Sequence, residues 1–267
     1  MRMARQLALH YFVSPDARAL AHRAAQYFVD QAQAAVAARG RARIAISGGS
    51  TPKATFALLA DPAEPYRAQM PWEQIELFWV DERTVPPTDA ESNYRMTKET
   101  LLDKVPIPAG QVHRILGELT PEQAADQYEF DLRRTFRLEG AEGPSFDLLA
   151  LGMGDDAHTA SLFPYTEAIH ELGRLVVANE VPQKKTWRVT LTWPVINQAR
   201  NVFFLIAGAD KAGPVHEVFT GPRDPERLPS QLIWPASGIL TVFLDSDAAA
   251  QLPTPGADGA GLMEKTR

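Results

Sequence analysis

The stretch RIAISGGSTP at residues 43–52 decides the fold, because it reads as a buried strand, a glycine turn and a helix start in succession. The two glycines permit a positive φ and the close approach of a ligand to the backbone. One of the hydroxyl side chains that follow can cap the helix, and Pro52 fits its first turn. Free N–H groups and hydroxyls at the positive end of a helix suit a phosphate, although a capped turn without a ligand would look the same. The predicted anion-binding residues are Gly48, Gly49, Ser50 and Thr51.

Strand-like and helix-like segments alternate along the rest of the chain. Several strand-like runs are apolar throughout, which is typical of strands buried on both faces. The alternation predicts an α/β fold with a doubly wound, mainly parallel sheet and helices on both of its faces. Strands are predicted at residues 7–13, 43–47, 75–80, 146–151, 175–178, 188–192, 202–207 and 238–244, and helices at 14–38, from 52 to about 60, at 93–102 and at 120–136.

The chain shows no feature that would divide it into several domains. No internal repeat and no Gly/Ser linker is present, so residues 1–250 are predicted to form a single α/β domain. Residues 251–267 are rich in proline, glycine and small side chains, and they are predicted to be a flexible tail. In an open parallel sheet, ligands bind beyond the carboxyl ends of the strands. The loops that follow the strands are therefore the places to look for function.

Composition excludes several classes of function. The chain has 27 Lys+Arg against 33 Asp+Glu, a net charge of −6, so we expect neither nucleic acid nor a membrane as partner. The absence of cysteine excludes disulfides, thiolate metal sites and a cysteine nucleophile. The apolar residues 7–13 are interrupted by His10 and read as a strand, not as a signal peptide. The apolar run at 202–209 is too short to span a bilayer, so a soluble, cytoplasmic protein is expected.

The second loop of interest follows the apolar run IELFWV and begins with three charged residues. Asp81, Glu82 and Arg83 could be only the start of a solvated loop, since charged residues are mostly exposed. The alternative is that Asp81 and Arg83 point into a cleft. Arg83 would then offer its planar fork of donors to a carboxylate or a developing oxyanion.

The third loop, GMGDDAHTASLFP at residues 152–164, follows the run FDLLAL and contains His158. Histidine is the side chain whose ordinary pKa best suits proton transfer near neutral pH. A lone histidine is more often structural, but this one lies beside two carboxylates in a glycine-rich loop after a strand. Residues two apart do not face each other on a helix, so pairing with Asp156 requires a non-helical backbone. Asp81 is an equally good candidate to orient the imidazole.

The same loop also matches the dinucleotide fingerprint G-x-G-x-x-G/A. Gly152, Gly154 and Ala157 occupy its three small positions, and Glu180 imitates the acidic residue that binds a ribose. However, Pro164 sharply limits any following helix. We therefore favour the interpretation in which His158 is functional over dinucleotide binding.

Two further cations are candidates for binding an anion, Arg188 in WRVTLT and Lys211 in GADK. Either could be ordinary surface charge, but Lys211 follows a buried strand, as expected of a ligand contact. A metal site is disfavoured because the six histidines show no i, i+3 or i, i+4 pair and there are no thiolates. A serine nucleophile is disfavoured because no G-x-S-x-G elbow is present.

Several of these motifs together resemble the 6-phosphogluconolactonase family in order and spacing. The resemblance covers about residues 10 to 250, and such chains share a fold with glucosamine-6-phosphate deaminases and, more distantly, with ribose-5-phosphate isomerases and CoA transferases. The deaminases have a DGHIAFNEPG-like third loop, whereas this chain has the SLFP ending of the lactonases. The matching stretches are SGGSTP at 47–52, VDER at 80–83, SNY at 92–94, GMGDDAHTASLFP at 152–164, RVTLTWPVIN at 188–197, GADK at 208–211 and FLD at 243–245.

The resemblance implies hydrolysis of 6-phospho-D-glucono-1,5-lactone in the oxidative pentose phosphate pathway, by an enzyme without metal or organic cofactor. His158 would then be the general base and acid, with Asp156 or Asp81 orienting it and Arg83 stabilising the oxyanion. The phosphate of this small-molecule partner would lie against Gly49, Ser50 and Thr51, with Arg188 and Lys211 supplying charge. A monomer or weak homo-oligomer is expected.

One position departs from the family pattern, because Ala157 stands where the lactonases normally have glycine. If this position requires a positive φ, alanine carries a strain of about 1 kcal/mol. Two alternative functions remain at this stage, an amino-sugar phosphate deaminase or isomerase and a sugar-phosphate sensor without turnover.

Overall fold

The computed structural model describes residues 6–235, 238–256 and 258–266. Its strands are β1 (Gln6–Ser14), β2 (Ala42–Ile46), β3 (Ile75–Trp79), β4 (Asp81–Arg83), β5 (Val112–His113), β6 (Leu148–Leu151), β7 (Val176–Val181), β8 (Thr186–Leu191), β9 (Asn201–Ile206), β10 (Ile239–Asp245) and β11 (Ala260–Thr266). Its α-helices are α1 (Ala17–Arg39), α2 (Ser50–Ala60), α3 (Pro65–Gln69), α4 (Asn93–Thr100), α5 (Pro121–Phe136), α6 (Trp193–Ile196) and α7 (Ala212–Thr220). Short 3₁₀ turns connect several of these elements.

The longest helix, α1, shows how local sequence sets the ends of an element. The Asp16 side chain accepts a hydrogen bond of 2.8 Å from the backbone N–H of Ala19 and so caps the first turn. At the other end Gly40 adopts a left-handed conformation with φ 75°, and its N–H donates to the Val36 carbonyl. No helix in the described part of the chain is long and apolar enough to cross a membrane.

The main sheet has eight strands in the order β11-β1-β10-β9-β6-β2-β3-β5. All neighbouring pairs are parallel except β11 with β1. This arrangement confirms the predicted doubly wound, mainly parallel α/β fold. Because the carboxyl ends of parallel strands lie at one edge, the loops after β2, β3, β6 and β9 meet there.

Alternate residues of the central strands face helices on opposite sides of the sheet. Ile44 and Leu77 are register partners that line a pocket on the side of α1 and α2. Ala45 and Phe78 form the next pair, and Phe78 lies 5.4 Å from the ring of Phe136 on α5. Since successive side chains of a strand point to opposite faces, α5 covers the other face. This is why the strands are apolar throughout.

A second sheet of three antiparallel strands, in the order β4-β8-β7, adjoins the first. The chain passes from one sheet to the other at Val80, whose N–H donates to Ile46 in the main sheet while its carbonyl accepts from Leu191. The strands predicted at 175–178 and 188–192 therefore form an antiparallel hairpin and are not part of the main parallel sheet. The charged residues after β3 are themselves a strand and not a solvated loop.

The prediction of a flexible tail at 251–267 needs correction. Ala260–Thr266 pairs antiparallel with β1, and Gly261 lies opposite Tyr11. A Cβ at position 261 would come within 2.0 Å of the Tyr11 ring, so only glycine fits there. The pairing satisfies backbone groups that β1 would otherwise expose as an edge strand, a gain that composition does not reveal. Residues 257 and 267 lie outside the described residues.

Candidate functional site

A cleft with a volume of about 350 Å³ opens at the carboxyl edge of the main sheet. It lies between the loops after β2, β6 and β9 and the small sheet. Nine of the ten predicted site residues line it, and Asp156 lies behind His158 and lines a neighbouring surface. The nine are Gly48, Gly49, Ser50, Thr51, Asp81, Arg83, His158, Arg188 and Lys211.

The loop after β2 presents an uncapped helix end to the cleft. Gly49, with φ 115°, is the N-cap residue of α2 and makes no side-chain capping bond. The hydroxyls of Ser50 and Thr51 therefore do not cap the helix, contrary to the alternative of a self-capped turn. Gly48 is equally constrained, because a Cβ there would come within 1.8 Å of the Asn93 side chain. The loop combines unused N–H groups, hydroxyls and a helix dipole, which is an arrangement that binds anions.

A histidine–carboxylate pair forms the opposite wall. Nδ1 of His158 lies 2.5 Å from Oδ1 of Asp156, and the backbone N–H of His158 donates to the same oxygen at 3.1 Å. Burial raises the pKa of the Asp156 carboxyl, but the hydrogen bond and charge of His158 outweigh this, so that pKa lies below its ordinary 3.8. Nε2 of His158 makes no hydrogen bond within the described residues, and is left for a ligand or water.

The backbone between the two residues makes the pair possible. Ala157 has φ 61°, in the left-handed region that alanine rarely adopts. The carbonyl of Ala157 accepts hydrogen bonds from the N–H and hydroxyl of Ser230, at 3.1 and 2.8 Å, which secure this conformation. A Cβ at Gly154 would come within 2.1 Å of the His158 ring. The loop therefore needs a glycine at 154, and the backbone strain of its geometry falls on Ala157.

Asp81, the other candidate for orienting the imidazole, is occupied elsewhere. It is buried, and its Oδ2 accepts a 2.7 Å bond from the Ser161 hydroxyl. The Asn93 side chain donates to the Asp81 carbonyl at 3.0 Å. The geometry thus gives the orienting position to Asp156, while Asp81 fixes the third loop to the small sheet.

Two arginines lie side by side on the small sheet. Arg83 of β4 and Arg188 of β8 are register partners, so like charges face each other across a strand pair. Burial lowers the pKa of the Arg188 guanidinium, and the charge of Arg83 lowers it further. Neither forms an ion pair with a carboxylate among the described residues, although Arg83 donates to the Glu91 carbonyl. Two guanidiniums that lack an ion-pair partner among the described residues indicate an anion site in the cleft.

Glu82, which lies between Asp81 and Arg83, has a structural task. Its carboxylate is buried and accepts 2.8 Å bonds from the backbone N–H groups of Asn93 and Tyr94 at the start of α4. Burial raises the pKa of the Glu82 carboxyl, and these bonds oppose that rise. The helix that carries Asn93 is therefore anchored to the strand that carries Arg83.

Lys211 reaches the cleft from the turn after β9. Gly208, with φ 103°, begins this turn, and its N–H donates to both oxygens of the buried Asp245 at 3.0 and 3.1 Å. Asp245 ends β10, so the closing FLD of the sequence supports the GADK turn. Nζ of Lys211 lies 2.9 Å from Oδ2 of Asp210, which leaves its remaining donors available.

Among the cleft residues that were not singled out from the sequence as site residues, four bear on the predicted ones. Asn93 and Ser161 hold Asp81, and the ring of Phe163 stacks on His158 at 4.0 Å. The fourth is Lys184, from the turn between β7 and β8, whose Nζ lies 5.8 Å from the Phe163 ring centre. Its charge also helps to lower the pKa of Asp156. The only sequence signal for Lys184 was its position beside a second lysine. That signal could not be interpreted before the hairpin of β7 and β8 was known.

Within the described residues, no group of three histidine, aspartate or glutamate side chains is placed to hold a metal ion. The loop at 152–164 leads into no helix that could face a dinucleotide, because residues 152–158 and 163–166 are irregular and a bridge joins Thr159 to Leu162. The His158–Asp156 pair and the two neighbouring arginines are groups that suit acid–base chemistry on an anionic ligand.

Comparison with known sequences identifies the family of the chain. A sequence model of the family described as glucosamine-6-phosphate isomerases/6-phosphogluconolactonase matches residues 15–242. The chain belongs to this family. Members with curated sequences include the 6-phosphogluconolactonase of Synechocystis sp., which is 43% identical over 220 residues that cover 82% of this chain and 88% of the relative. That of Nostoc sp. is 39% identical, covering 90% of this chain and 97% of its own.

Solved structures of the family agree in fold. The 6-phosphogluconolactonase from Trypanosoma cruzi superposes with a TM-score of 0.77 at 30% identity, covering 91% of this chain and 96% of its own. The match to the family model thus extends over strands β2 to β9 and all the loops that form the cleft.

Proposed function

We propose that the protein hydrolyses 6-phospho-D-glucono-1,5-lactone to 6-phospho-D-gluconate, in the oxidative pentose phosphate pathway, without a metal or organic cofactor. The observation that carries this proposal is the His158–Asp156 pair, at 2.5 Å, in a cleft that also holds two arginines without an ion-pair partner among the described residues. The names and similarity of the relatives support the same substrate. A positioned acid–base group and cations are the groups that opening a lactone requires.

The first step is attack of water on the lactone carbonyl. Nε2 of His158 accepts a proton from water while the water oxygen bonds to C1, and the carbonyl oxygen becomes an oxyanion. Asp156 stabilises the imidazolium through Nδ1–H and fixes the tautomer in which Nε2 is free to accept. Arg83 lies on the wall of the cleft and stabilises the oxyanion through charge-assisted hydrogen bonds.

The second step is collapse of the tetrahedral intermediate. The bond from C1 to the ring oxygen breaks, and the imidazolium of His158 returns its proton to that oxygen. The products are a free hydroxyl and a carboxylic acid, which releases its proton to solvent and becomes the carboxylate, and His158 is neutral again. Phe163, stacked at 4.0 Å, restrains the imidazole in one plane for both transfers.

The phosphate binds at the far wall. The N–H groups at the start of α2 and the hydroxyls of Ser50 and Thr51 meet its oxygens, and Arg188 and Lys211 supply the charge. The separation between α2 and His158 across the cleft then determines which ring carbon faces the base. A metal or organic cofactor is not part of the proposal, since a lactone is an activated ester.

The test is lactone hydrolysis by the purified protein, measured against the spontaneous rate in the same buffer. His158→Ala should lower kcat by about 100-fold or more, because proton transfer contributes on that order. Asp155, exposed and adjacent, gives the matched control Asp155→Asn, which should keep kcat. Near-normal turnover by His158→Ala would remove this base from the mechanism, and ammonia release from glucosamine 6-phosphate would favour the deaminase alternative instead.

The setting of the reaction completes the proposal. We infer a cytoplasmic protein that acts as a monomer or weak homo-oligomer and has no nucleic-acid or membrane partner. The net charge of −6 supports this, because it disfavours contact with polyanions.

A further inference from the structure

A second basic cavity lies at the opposite edge of the main sheet, where the parallel strands begin. Its volume is about 420 Å³, and four arginines line it together with the aromatic and aliphatic side chains of Phe136 and Leu138. We call it the arginine basin and define it by Arg39, Arg41, Arg43 and Arg200. The strands between the two edges have four to six residues, so basin and cleft lie about 13–20 Å apart.

Sequence position explains why four cations gather here. Arg39 is the last residue of α1, and Arg41 and Arg43 lie on either side of the first residue of β2. Arg200 directly precedes β9, two strands away in the sheet order. Amino ends of neighbouring parallel strands meet at one edge, so the segments converge although they are distant in sequence.

Two carboxylates lie beneath the arginines. Asp147 accepts from Nε of Arg39 at 2.7 Å and from the backbone N–H of Arg43 at 2.9 Å, with Nε of Arg200 at 3.5 Å. Glu76 accepts from Nη1 of Arg41 and Nε of Arg43, both at 2.7 Å. Both carboxylates are largely buried, so they are committed to holding the arginines in place.

The charges do not balance. Four guanidiniums face two carboxylates, which leaves a local excess of two positive charges in a chain whose net charge is −6. Within the described residues, the two Nη nitrogens of Arg39 and of Arg200, and Nη2 of Arg41, donate to no acceptor. These three side chains are 39%, 50% and 54% exposed, in the order Arg39, Arg200, Arg41, so their free donors face the basin and solvent.

One wall of the basin is rigid. The Arg43 guanidinium lies 4.3 Å from the ring centre of Phe136, and its Nη2 donates to the Thr135 carbonyl at 3.1 Å. Arg43 is therefore held in one orientation by a carboxylate, a carbonyl and an aromatic face. The free donors belong to three guanidiniums whose attachment points are fixed by helix and strand ends, which is the preorganisation that a binding site requires.

We infer that the arginine basin binds a small anion with two linked phosphoryl groups, such as a diphosphate. Planar guanidinium forks match phosphate oxygens two at a time, and an excess of two charges fits a ligand with more than one anionic centre. Arg41 and Arg200 directly precede different strands, so each can hold one phosphoryl group. This site is separate from the cleft and does not depend on the lactonase proposal.

The test is calorimetric titration of inorganic pyrophosphate into the full chain. The cleft is itself proposed to bind phosphate, so the titration uses the Arg188→Ala/Lys211→Ala variant, in which that site is weakened. Adding Arg41→Ala/Arg200→Ala should raise the Kd for pyrophosphate about tenfold or more. The matched pair Arg18→Ala/Lys104→Ala removes two exposed cations elsewhere and should change the Kd less than about twofold.

Two further measurements test whether pyrophosphate binds at the arginine basin itself. In the wild-type chain, pyrophosphate should shift the backbone amide resonances of residues 39–43 and 145–147, in addition to any shift at 48–52. Inorganic phosphate should bind the basin at least about tenfold more weakly than pyrophosphate, since it offers one centre. The inference would be overturned if Arg41→Ala/Arg200→Ala and Arg18→Ala/Lys104→Ala lost the same affinity for pyrophosphate. Resonance shifts confined to residues 48–52, or equal affinity of the basin for phosphate and pyrophosphate, would overturn it as well. Lactone hydrolysis by Arg41→Ala/Arg200→Ala without ligand should stay at the wild-type rate.

Discussion

Nδ1 of His158 lies 2.5 Å from Oδ1 of Asp156, two positions earlier in the chain, and the residue between them has φ 61°. Residues two apart diverge on a helix, and on a strand they lie on the same face but about 6–7 Å apart, so this pair is formed by a turn and not by a regular element. The left-handed conformation of Ala157 turns the chain back on itself. The strain at one alanine is therefore part of how the His158–Asp156 pair is built.

Replacing this alanine tests that reading. Ala157→Gly should raise the free energy of unfolding by about 0.5–1 kcal/mol, because relief of a left-handed alanine exceeds the added entropy of the unfolded glycine. Turnover should change less than about twofold, since the loop geometry is kept. The control is Ala37→Gly, an exposed position of α1, which should lose about 0.5–1 kcal/mol. Chemical denaturation measures both, and a destabilised Ala157→Gly would contradict the strain.

Asp156 can be tested without removing its shape. Asp156→Asn should lower kcat by about 100-fold, because the amide can present its N–H₂ to Nδ1 and reverse the tautomer that leaves Nε2 free to accept. Asp155→Asn, at the exposed neighbour, should leave kcat unchanged. An effect confined to KM would show that Asp156 does not orient the base.

The same variant gives a pH dependence of stability. The folded-state pKa of Asp156 is lowered from 3.8, so its contribution to stability is present above that value and is lost as pH falls through the folded pKa. Wild type should therefore exceed Asp156→Asn in unfolding free energy near neutral pH, and the difference should shrink below about pH 4. Denaturation at both pH values measures it, and a difference that grows in acid would contradict the sign. The carboxylate is partly exposed, so the effect is small.

The sequence predicted those parts of the site that are formed by residues adjacent in the chain, and it left open those that depend on contacts between distant residues. The unit at 43–52 is local, because an apolar strand, two glycines and a helix start follow each other, and the structure has β2 and α2 there. The choice between Asp156 and Asp81 was not local. It depended on one backbone torsion at Ala157 and on the Ser161 hydroxyl, which occupies Asp81.

The fold shows the same difference between elements recognisable from their own residues and elements that depend on distant partners. The central parallel strands are apolar on both faces and were recognised by that pattern. The hairpin of β7 and β8 is partly apolar too, so nothing in its own residues distinguished it from a strand of the main sheet. Strand β11 was missed because its value lies in covering β1, which depends on a partner some 250 residues away in sequence. The arginine basin likewise arises only when strand ends converge.

The two arginines of the small sheet should separate in kinetics. Arg188→Gln should raise KM about tenfold or more with a smaller effect on kcat, since the phosphate contact is present in both ground and transition states. It should not lower the free energy of unfolding, because it removes a half-buried charge that faces Arg83. Arg83→Gln should act mainly on kcat. Steady-state kinetics and denaturation, with exposed Arg18→Gln as control, decide between these roles, and the reverse pattern would exchange them.

Lys184 should affect kcat/KM through a long-range electrostatic interaction that depends on salt concentration. It is exposed, forms no ion pair among the described residues, and lies above the Phe163 ring that stacks on His158. Its charge favours the ionised Asp156 and attracts an anionic substrate to the mouth of the cleft. Lys184→Ala should therefore lower kcat/KM about three- to tenfold at low ionic strength, and the deficit should fade towards 1 M salt as screening shortens the range of the charge.

The neighbouring Lys185 provides the matched control for this prediction. It belongs to the same turn and is equally exposed, but it does not line the cleft. Lys185→Ala should keep kcat/KM within about twofold at every salt concentration. If both variants lost activity equally, the effect would come from the general charge of the hairpin. If neither did, the cation above Phe163 would have no part in the reaction, and Arg83, Arg188 and Lys211 would supply all the positive charge that the lactone meets.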